Sequence, residues 1–360
     1  MDTYPVTAQS VGRLNQTDGK HLGRVYKDHL SGYHEWEQKS HAGDYVLLEQ
    51  NMGEYLSIDE TMLHHDLFTF LTNKDGHGGK GTLIAAVKGT TVADVTRHLE
   101  QIPEESRRRV KEVTMDFSDS MMGIVKKTFP QAKIVIDVFH IMQLFGTNGL
   151  DAMRMKLKRE NVVAVKKAER EFMERRRQRA DVRAKYAETH KPRKSVNGKR
   201  LGRPRKRKNE KFEPEKLRNG ETMADLLTHV RYPLMKRYED WTDFQREEMR
   251  ILFEVAPKMK EAYGLLCALR SIFSKQKKRD EAEVVLHKWY DDVEQADIEE
   301  LISVRDTIKS KEEYVLNFFN NRSTNASAEA FNSKVKGLRA QVHGVSDLPF
   351  FMYRCAKIFG

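Results

Sequence analysis

Hydrophobic and polar positions follow three different rhythms along the chain. Residues 1–50 are polar and rich in Gly, His and charge, with only a short strand-like stretch at residues 45–48, and read as an N-terminal arm. From about Tyr55 the pattern shifts to short β-type runs, YLSID, LFTFLTN and TLIAAVKG, separated by turn-forming stretches such as NKDGHGGKG. Three such runs in succession predict a meander. Thr90 or Thr91 can then cap a helix with apolar positions Val92, Val95 and Leu99, ending near Pro103. Two further apolar runs, EVTMDFS and KIVIDVFHI, bracket the helical pattern MMGIVKKTFP.

Beyond residue 150 the β-type runs stop. Residues 151–191 are charged and almost free of helix breakers, which predicts a long solvated helix. Residues 191–211 are dense in Lys and Arg with no apolar period and read as loop. Helical patterning resumes over residues 223–310, with Leu252, Val255, Met259, Tyr263 and Leu266 on recurring faces. The order of three strands, helix, strand, helix, strand is that of the RNase H-like fold, an order other α/β proteins share. The expected architecture is therefore α/β: an RNase H-like core with a mixed five-stranded sheet flanked by helices, interrupted by a large all-helical insertion. The expected boundaries are an arm at 1–50, core at 51–150, helical insertion at 151–315 containing the basic segment 191–211, and the rest of the core at 316–360.

Composition narrows the function. Over 360 residues, 64 Lys and Arg against 53 Asp and Glu give a formal charge of +11, and this favours a polyanionic partner over a small metabolite. The two cysteines, Cys267 and Cys355, are far apart and support neither a disulfide framework nor a zinc finger, which fits a reducing cytosol. No apolar run is long enough to span a bilayer, so a membrane is not an expected partner.

Asp59 in YLSIDE is expected at the end of the first strand, projecting from a rigid sheet edge, and Asp116 in VTMDFS has the same context. Hard divalent cations take oxygen ligands, and a two-metal phosphoryl-transfer site clamps them about 3.5–4 Å apart, so rigidly held carboxylates suit that chemistry. An Asp at a strand end equally serves as a cap for the next turn or helix. Downstream, Ser323, Thr324 or Asn325 can cap a helix ended by Gly337. On it Glu329, Asn332 and Lys336 share one face and Phe331, Val335 and Leu338 another. The polar face reads either as a site or as an ordinary solvated stripe.

In LSIDET, in VTMDFSDSMMGIVKKTFPQAKIVIDVFHIMQ, and in FFNNRSTNASAEAFNSKVKGLR with its PFFMYRC tail, the chain resembles the DDE transposases of bacterial insertion sequences, of the ISL type. The resemblance runs from about Asp59 to the C-terminus. It implies that Asp59, Asp116 and Glu329 are the catalytic and metal-binding triad for two Mg²⁺ or Mn²⁺ ions, with Asn332 and Lys336 in support. The Asp137 and His140 pair resembles a motif that related transposases keep beside the catalytic centre; Asp137 also ends an apolar run and competes with Asp116 for the role of second acid.

The segment KRLGRPRKRK resembles an AT-hook, whose Gly-Arg-Pro core lies in a narrow minor groove. Lys199, Arg200, Gly202, Arg203, Pro204, Arg205, Lys206, Arg207 and Lys208 are the candidate DNA contacts, with Arg203 and Arg205 reading the groove; a generic basic linker to phosphates is the alternative. The expected partners are double-stranded DNA, as element ends and target, and further copies of the chain on that DNA. Family members commonly carry an N-terminal zinc-binding and helix-turn-helix region, whereas the first 50 residues here show no cysteine and no convincing pair of helices. The expectation is a separately encoded recognition protein or a truncated copy. The protein is expected in the cytoplasm, on the nucleoid when bound to DNA. The implied function is metal-dependent DNA cleavage and strand transfer, against two rivals: an RNase H-like nuclease and a non-catalytic DNA-binding derivative.

Overall fold

The computed structural model describes all residues except 3, 5, 64, 190–210, 343, 344 and 346. Two compact units are formed, one from residues 1–143, 270–288 and 306–360, the other from residues 144–269 and 289–305.

The first unit is built on a six-stranded mixed sheet: β1 (Tyr45–Leu47), β2 (Tyr55–Leu63), β3 (Asp66–Asn73), β4 (Leu83–Lys88), β5 (Glu112–Met115) and β6 (Lys133–Ile136), in the spatial order β1-β4-β3-β2-β5-β6. Strands β2, β3 and β4 form the expected antiparallel meander, and β5 and β6 join parallel to β2. The expectation of five strands is corrected to six, because the short run at Tyr45–Leu47 pairs with β4. Helices α1 (Ala8–Leu14) and α2 (Gly19–Val25) precede the strands, and α3 (Val92–Leu99), α4 (Glu104–Arg108) and α5 (Asp119–Thr128) lie between them. Thr91 caps α3 by accepting from the Asp94 N–H, and Ser118 caps α5 by accepting from the Met121 N–H.

Helices α1 and α2 correct the expectation that the first 50 residues lack a helix pair. Thr7 and Asp18 cap them, and their crossing is made by glycines: a Cβ on Gly12 would meet the Gly19 Cα at 2.8 Å, and one on Gly19 would meet the Gln9 Cα at 2.5 Å. A seam of glycines leaves no apolar period to read. The arm is also packed down. Tyr33 and Trp36 contact the ring of Tyr353, whose hydroxyl donates to the Ser31 carbonyl, and Arg354 donates to the carbonyls of Met1 and Val6.

The two faces of the sheet are filled differently. On one, Leu56, Ile58, Val113, Met115 and Ile134 meet Val95 and Leu99 of α3 and Met121, Ile124 and Val125 of α5. On the other, Phe68, Phe70, Leu83 and Ala86 meet Phe331, Val335 and Leu338 together with Phe351, Met352 and Phe359. Alternation in the strands dictates this split.

Helix α6 (Val138–Leu144) lies in the first unit up to Gln143; the second unit begins at Leu144 and holds α7 (Ala152–Thr189), a 38-residue helix with only Met153 and Arg154 buried, as the sequence predicts. Then come α8 (Met223–His229), α9 (Asp243–Val255), α10 (Pro257–Lys275), α11 (Arg279–Ala296) and α12 (Glu299–Ser310), of which residues 270–288 and 306–310 belong to the first unit. Trp289 and Trp241 anchor this unit, their indole N–H groups donating to the carbonyls of Leu265 and Pro233 at 2.9 and 2.8 Å. The chain ends, within the first unit, with α13 (Glu312–Leu316), α14 (Phe318–Asn321), α15 (Ala326–Gln341) and α16 (Leu348–Phe359). Among the described residues, no helix is long and apolar enough to cross a membrane.

Phe331 is fully buried and meets the rings of Phe70 and Phe359 edge-on, which seats α15 on the sheet. Phe331→Ala is expected to lower unfolding free energy by about 3–5 kcal/mol. Phe139→Ala, at a residue 59% exposed, should stay within about 0.5 kcal/mol. Urea unfolding of both variants checks the difference.

Candidate active site

The site follows from strand register. Ser57 of β2 pairs with Thr114 of β5, and Thr114 with Val135 of β6. Carried two residues further, the same register sets Asp59, Asp116 and Asp137 in one row. Period-2 alternation then puts all three on the sheet face that carries Ser57 and Thr114, and that α15 covers. Asp59 was expected at the end of the first strand. Strand β2 instead runs on to Leu63 because it stays paired with β3, but its pairing with β5 stops at Ser57. Asp59 is thus central toward β3 and terminal toward β5, and the notch this leaves faces Asp116.

Asp59 Oδ1 accepts from the Glu60 N–H at 2.8 Å, and its Oδ2 accepts from the side-chain amide of Asn332 on α15. Burial pushes the Asp59 carboxyl above the usual range and the charge of Asp116 adds to that, while the Glu60 N–H, His140 and Lys336 pull the other way. Glu60 is likewise raised, by burial and then by Asp116 and Asp59. Asp116 is only half-buried, and its Oδ1 accepts from the Ser118 N–H at 2.8 Å. The sheet end therefore holds crowded acids that share one electrostatic field.

Helix α15 supplies the opposing wall. Phe331, Val335 and Leu338 are buried as the periodicity predicts, which turns Asn332 toward Asp59. Lys336 lies one turn further along and acts on Asp59 through its charge. Glu329 lies one turn before Asn332 on the same face; it is exposed, and its carboxylate forms no hydrogen bond or ion pair among the described residues. Asp59, Asp116 and Glu329 are not among the groups whose ligand atoms all lie within 4.8 Å of one another. The helix corrects two expectations at its ends. Asn325 occupies the N-cap position without a side-chain cap, and the helix passes through Gly337 to end at Gln341.

Asp137 differs from its neighbours in the row. It is 3% exposed, and its carboxylate accepts backbone N–H groups of Asn325 and Phe139, with His140 and Lys74 nearby; burial, the largest effect, still raises it. Beneath it lies a polar layer that the sequence reading missed. Lys74 Nζ stands 3.3 Å from Glu112 Oε1 and donates to the Thr114 hydroxyl, and Asn321 donates to Glu112 Oε2 at 2.7 Å. Burial lowers the Lys74 ammonium, offset by Glu112. The signal was present: Glu112, Thr114 and Asp116 alternate onto the same face as Ser57 and Asp59, so polar residues recur where a core strand would be apolar. Lys74 was hidden in a stretch read only as a turn.

The basic segment Lys199 to Lys208, including Arg203 and Arg205, lies outside the described residues.

The raised Asp59 carboxyl gives a test with a definite sign. A folded-state value above the unfolded one means that the stabilising contribution is complete below the unfolded value, about 3.9, and is lost as pH rises through the folded value. Asp59→Asn should therefore melt above wild type at pH 7 in metal-free buffer, with the gap closing below about pH 4. Calorimetric melts in chelator across that range check it, and a gap that does not change with pH removes the electrostatic account.

With the geometry in hand, comparison with known proteins is informative. A family model described as a transposase, that of the DDE-type ISL3 group, matches residues 56–355. The chain is similar to the transposase for insertion sequence element IS1557 of Mycobacterium tuberculosis, 27% identical over 236 residues, or 65% of this chain and 44% of the relative. It is also similar to the transposase for insertion sequence element IS1001 of Bordetella parapertussis, 28% identical over 104 residues, or 28% of this chain and 25% of the relative. The matches thus span less than half the length of these relatives. No solved structure matches. Since the family model takes in both aspartates, the polar layer and the whole of α15, the chain belongs to the ISL3 family of DDE-type insertion-sequence transposases.

Proposed function

We propose that the chain cleaves DNA at the ends of an insertion sequence and joins the freed 3′ ends to target DNA, with Asp59, Asp116 and Glu329 holding two Mg²⁺ or Mn²⁺ ions. The observation that carries this reading is the row of acids set by strand register, Asp59 within β2 just past its pairing with β5 and Asp116 and Asp137 just after β5 and β6, with Asp59 facing the Asn332 and Lys336 side of α15. The strand order supports reading the sheet as an RNase H-like core with β1 as an added edge strand, and the second, helical unit as its insertion.

The residues suit hard divalent cations. All donors are oxygens, and burial, with the charge of Asp116 adding to it, pushes Asp59 toward its neutral form, a cost that a bound cation relieves. Two ions need not be caged by all three carboxylates at once, so an open trio accords with a two-ion site. When bound, such ions supply Lewis acidity at both the attacking and the leaving oxygen of an in-line displacement. Asn332 fixes the orientation of the Asp59 carboxylate, leaving its outer lone pairs free. Lys336 offers a positive charge to a phosphate approaching α15. Asp137, held by two backbone N–H groups, and Lys74 with Glu112 stiffen the floor of the site. We assign Asp116 as the second acid, since Asp137 is buried and already satisfied.

The basic segment 191–211 would bind the phosphate backbone and A·T-rich minor grooves through Arg203 and Arg205. Processing two element ends together calls for at least two copies of the chain on DNA, and a separately encoded protein could read those ends. The reaction belongs in the cytoplasm, on the nucleoid.

The test is a cleavage and joining assay with element-end duplex, target plasmid and Mg²⁺ or Mn²⁺. Asp116→Asn and Glu329→Gln should each lose roughly 10²–10³-fold or more in rate, while Asp137→Asn should lose far less. Cleavage without joining would make the protein a nuclease. Binding without cleavage by wild type would make it a non-catalytic derivative.

A further inference from the structure

Within the helical unit, far in sequence from the acids of the sheet, three potential metal ligands converge. Glu221 ends a tight turn closed by the Leu217 N–H to Glu221 carbonyl bond, His229 lies in the last turn of α8, and Glu248 lies on α9. One ligand atom from each falls within 4.8 Å of the other two. His229 Nδ1 stands 3.4 Å from Glu221 Oε2 and 3.7 Å from Glu248 Oε2.

These spacings are long for hydrogen bonds, which cluster at about 2.7–3.2 Å for a nitrogen donor. They are close to the separation of two ligands on one ion, the first within it and the second just beyond: donors about 2.0–2.2 Å from a tetrahedral centre lie about 3.3–3.6 Å apart. A second observation is independent of the spacing. Glu248 is 2% exposed, and its Oε2, the atom aimed at His229, has no hydrogen-bond partner, an arrangement that leaves a desolvated carboxylate oxygen uncompensated. Its other oxygen is satisfied by the Asn219 amide at 3.0 Å, and the same amide reaches Glu221 Oε2 at 3.3 Å. Asn219 Oδ1 in turn accepts from the Glu221 N–H at 3.2 Å, so one side chain holds both acids, while the inward Oε2 of Glu248 is left open.

We propose that Glu221, His229 and Glu248 form a site for a single transition-metal cation of the Zn²⁺ class, distinct from the acids of the sheet. One imidazole and two carboxylates suit Zn²⁺ better than Mg²⁺, which prefers an all-oxygen shell. The site ties the turn at 217–221 to α8 and α9, and that turn lies, in sequence, directly after the basic segment 191–211. A metal here fixes the C-terminal anchor of that segment and takes no part in phosphoryl transfer. The other three-residue cluster among the described residues, Glu283, His287 and Glu312, has no fully buried residue, although Glu312 Oε2 also lacks a partner, and serves as the control.

The experiment uses the full chain, stripped with chelator and titrated with Zn²⁺ alone against a competing chromophoric chelator, and then with Co²⁺ to read the ligand field. Wild type should bind a tight equivalent that raises Tm and gives a Co²⁺ spectrum of mixed nitrogen and oxygen ligation. His229→Gln and Glu221→Gln should each lose that equivalent, with affinity down by about 100-fold or more, while His287→Gln and Asp59→Asn keep it. The His229 and Glu221 side chains are 42% and 27% exposed, so these variants fold even if Glu248→Gln does not, and circular dichroism verifies it. Equal uptake by wild type and His229→Gln, or no tight equivalent in wild type, overturns the proposal and leaves only an imidazole beside two acids.

Discussion

The site depends on one constraint: β2 is paired in parallel with β5 only as far as Ser57, while β2 continues against β3 to Leu63. Had β5 run on beside β2, Asp116 would be locked in a ladder. Because it stops at Met115, the chain turns away at a point where Asp59 is still held rigidly on its other side by Phe70. The result is a carboxylate on a stiff strand next to one on a strand end. Small displacements of either would alter the distance between them, and parallel register is what resists such displacement.

The same sheet face must be both core and site, and it separates the two along the strands. Toward β4 it is filled by Phe68, Phe70, Leu83 and Ala86 under α15 and α16. Toward β6 it turns polar, with Ser57, Thr114, Glu112 and Asp137 all buried. Burying Glu112 and Lys74 as a pair is expensive in desolvation, and such a pair seldom adds net stability. Its effect here is geometric, because each partner also bonds to another element, Lys74 to Thr114 and Glu112 to Asn321. The segment between α14 and α15 is thereby tied to β5, and through the Asn325 N–H to Asp137. Helix α15 thus starts from a fixed point before it presents Glu329, Asn332 and Lys336.

What could be read from the sequence follows from which interactions are periodic. Strands, α3, α5 and the buried face of α15 were legible, because burial imposes alternation or a 3.6-residue repeat on apolar residues. The family resemblance pointed to Asp59, Asp116 and Glu329, while the row with Asp137 needs a register that no single strand contains. Helices α1 and α2 were invisible, since Gly12 and Gly19 make their contact through close approach and leave no apolar pattern. Gly337 misled in the opposite sense: a glycine near a helix end suggests a stop, but here it faces open space within α15, where its cost is only that of an exposed helical glycine. Lys74 was lost because turn composition carries no information about where a long side chain reaches.

The contrast between Asp116 and Asp137 argues for a division of labour within one row of acids. Both follow a parallel strand, one register step apart, so sequence context cannot separate them. Their surroundings do. Asp137 is enclosed, takes two backbone N–H groups and has a cationic neighbour in Lys74. A ligand for an exchangeable ion needs lone pairs that are open on one side, and Asp137 has spent its own on the protein. Asp116 keeps an open side, and its charge is felt by both Asp59 and Glu60. An acid whose charge strains its neighbours is one whose charge is not yet compensated, and uncompensated negative charge at a rigid sheet end is what attracts a divalent cation. In the proposed assignment Glu329, exposed on α15 one turn from the amide that holds Asp59, would complete the ligand set from the opposite wall.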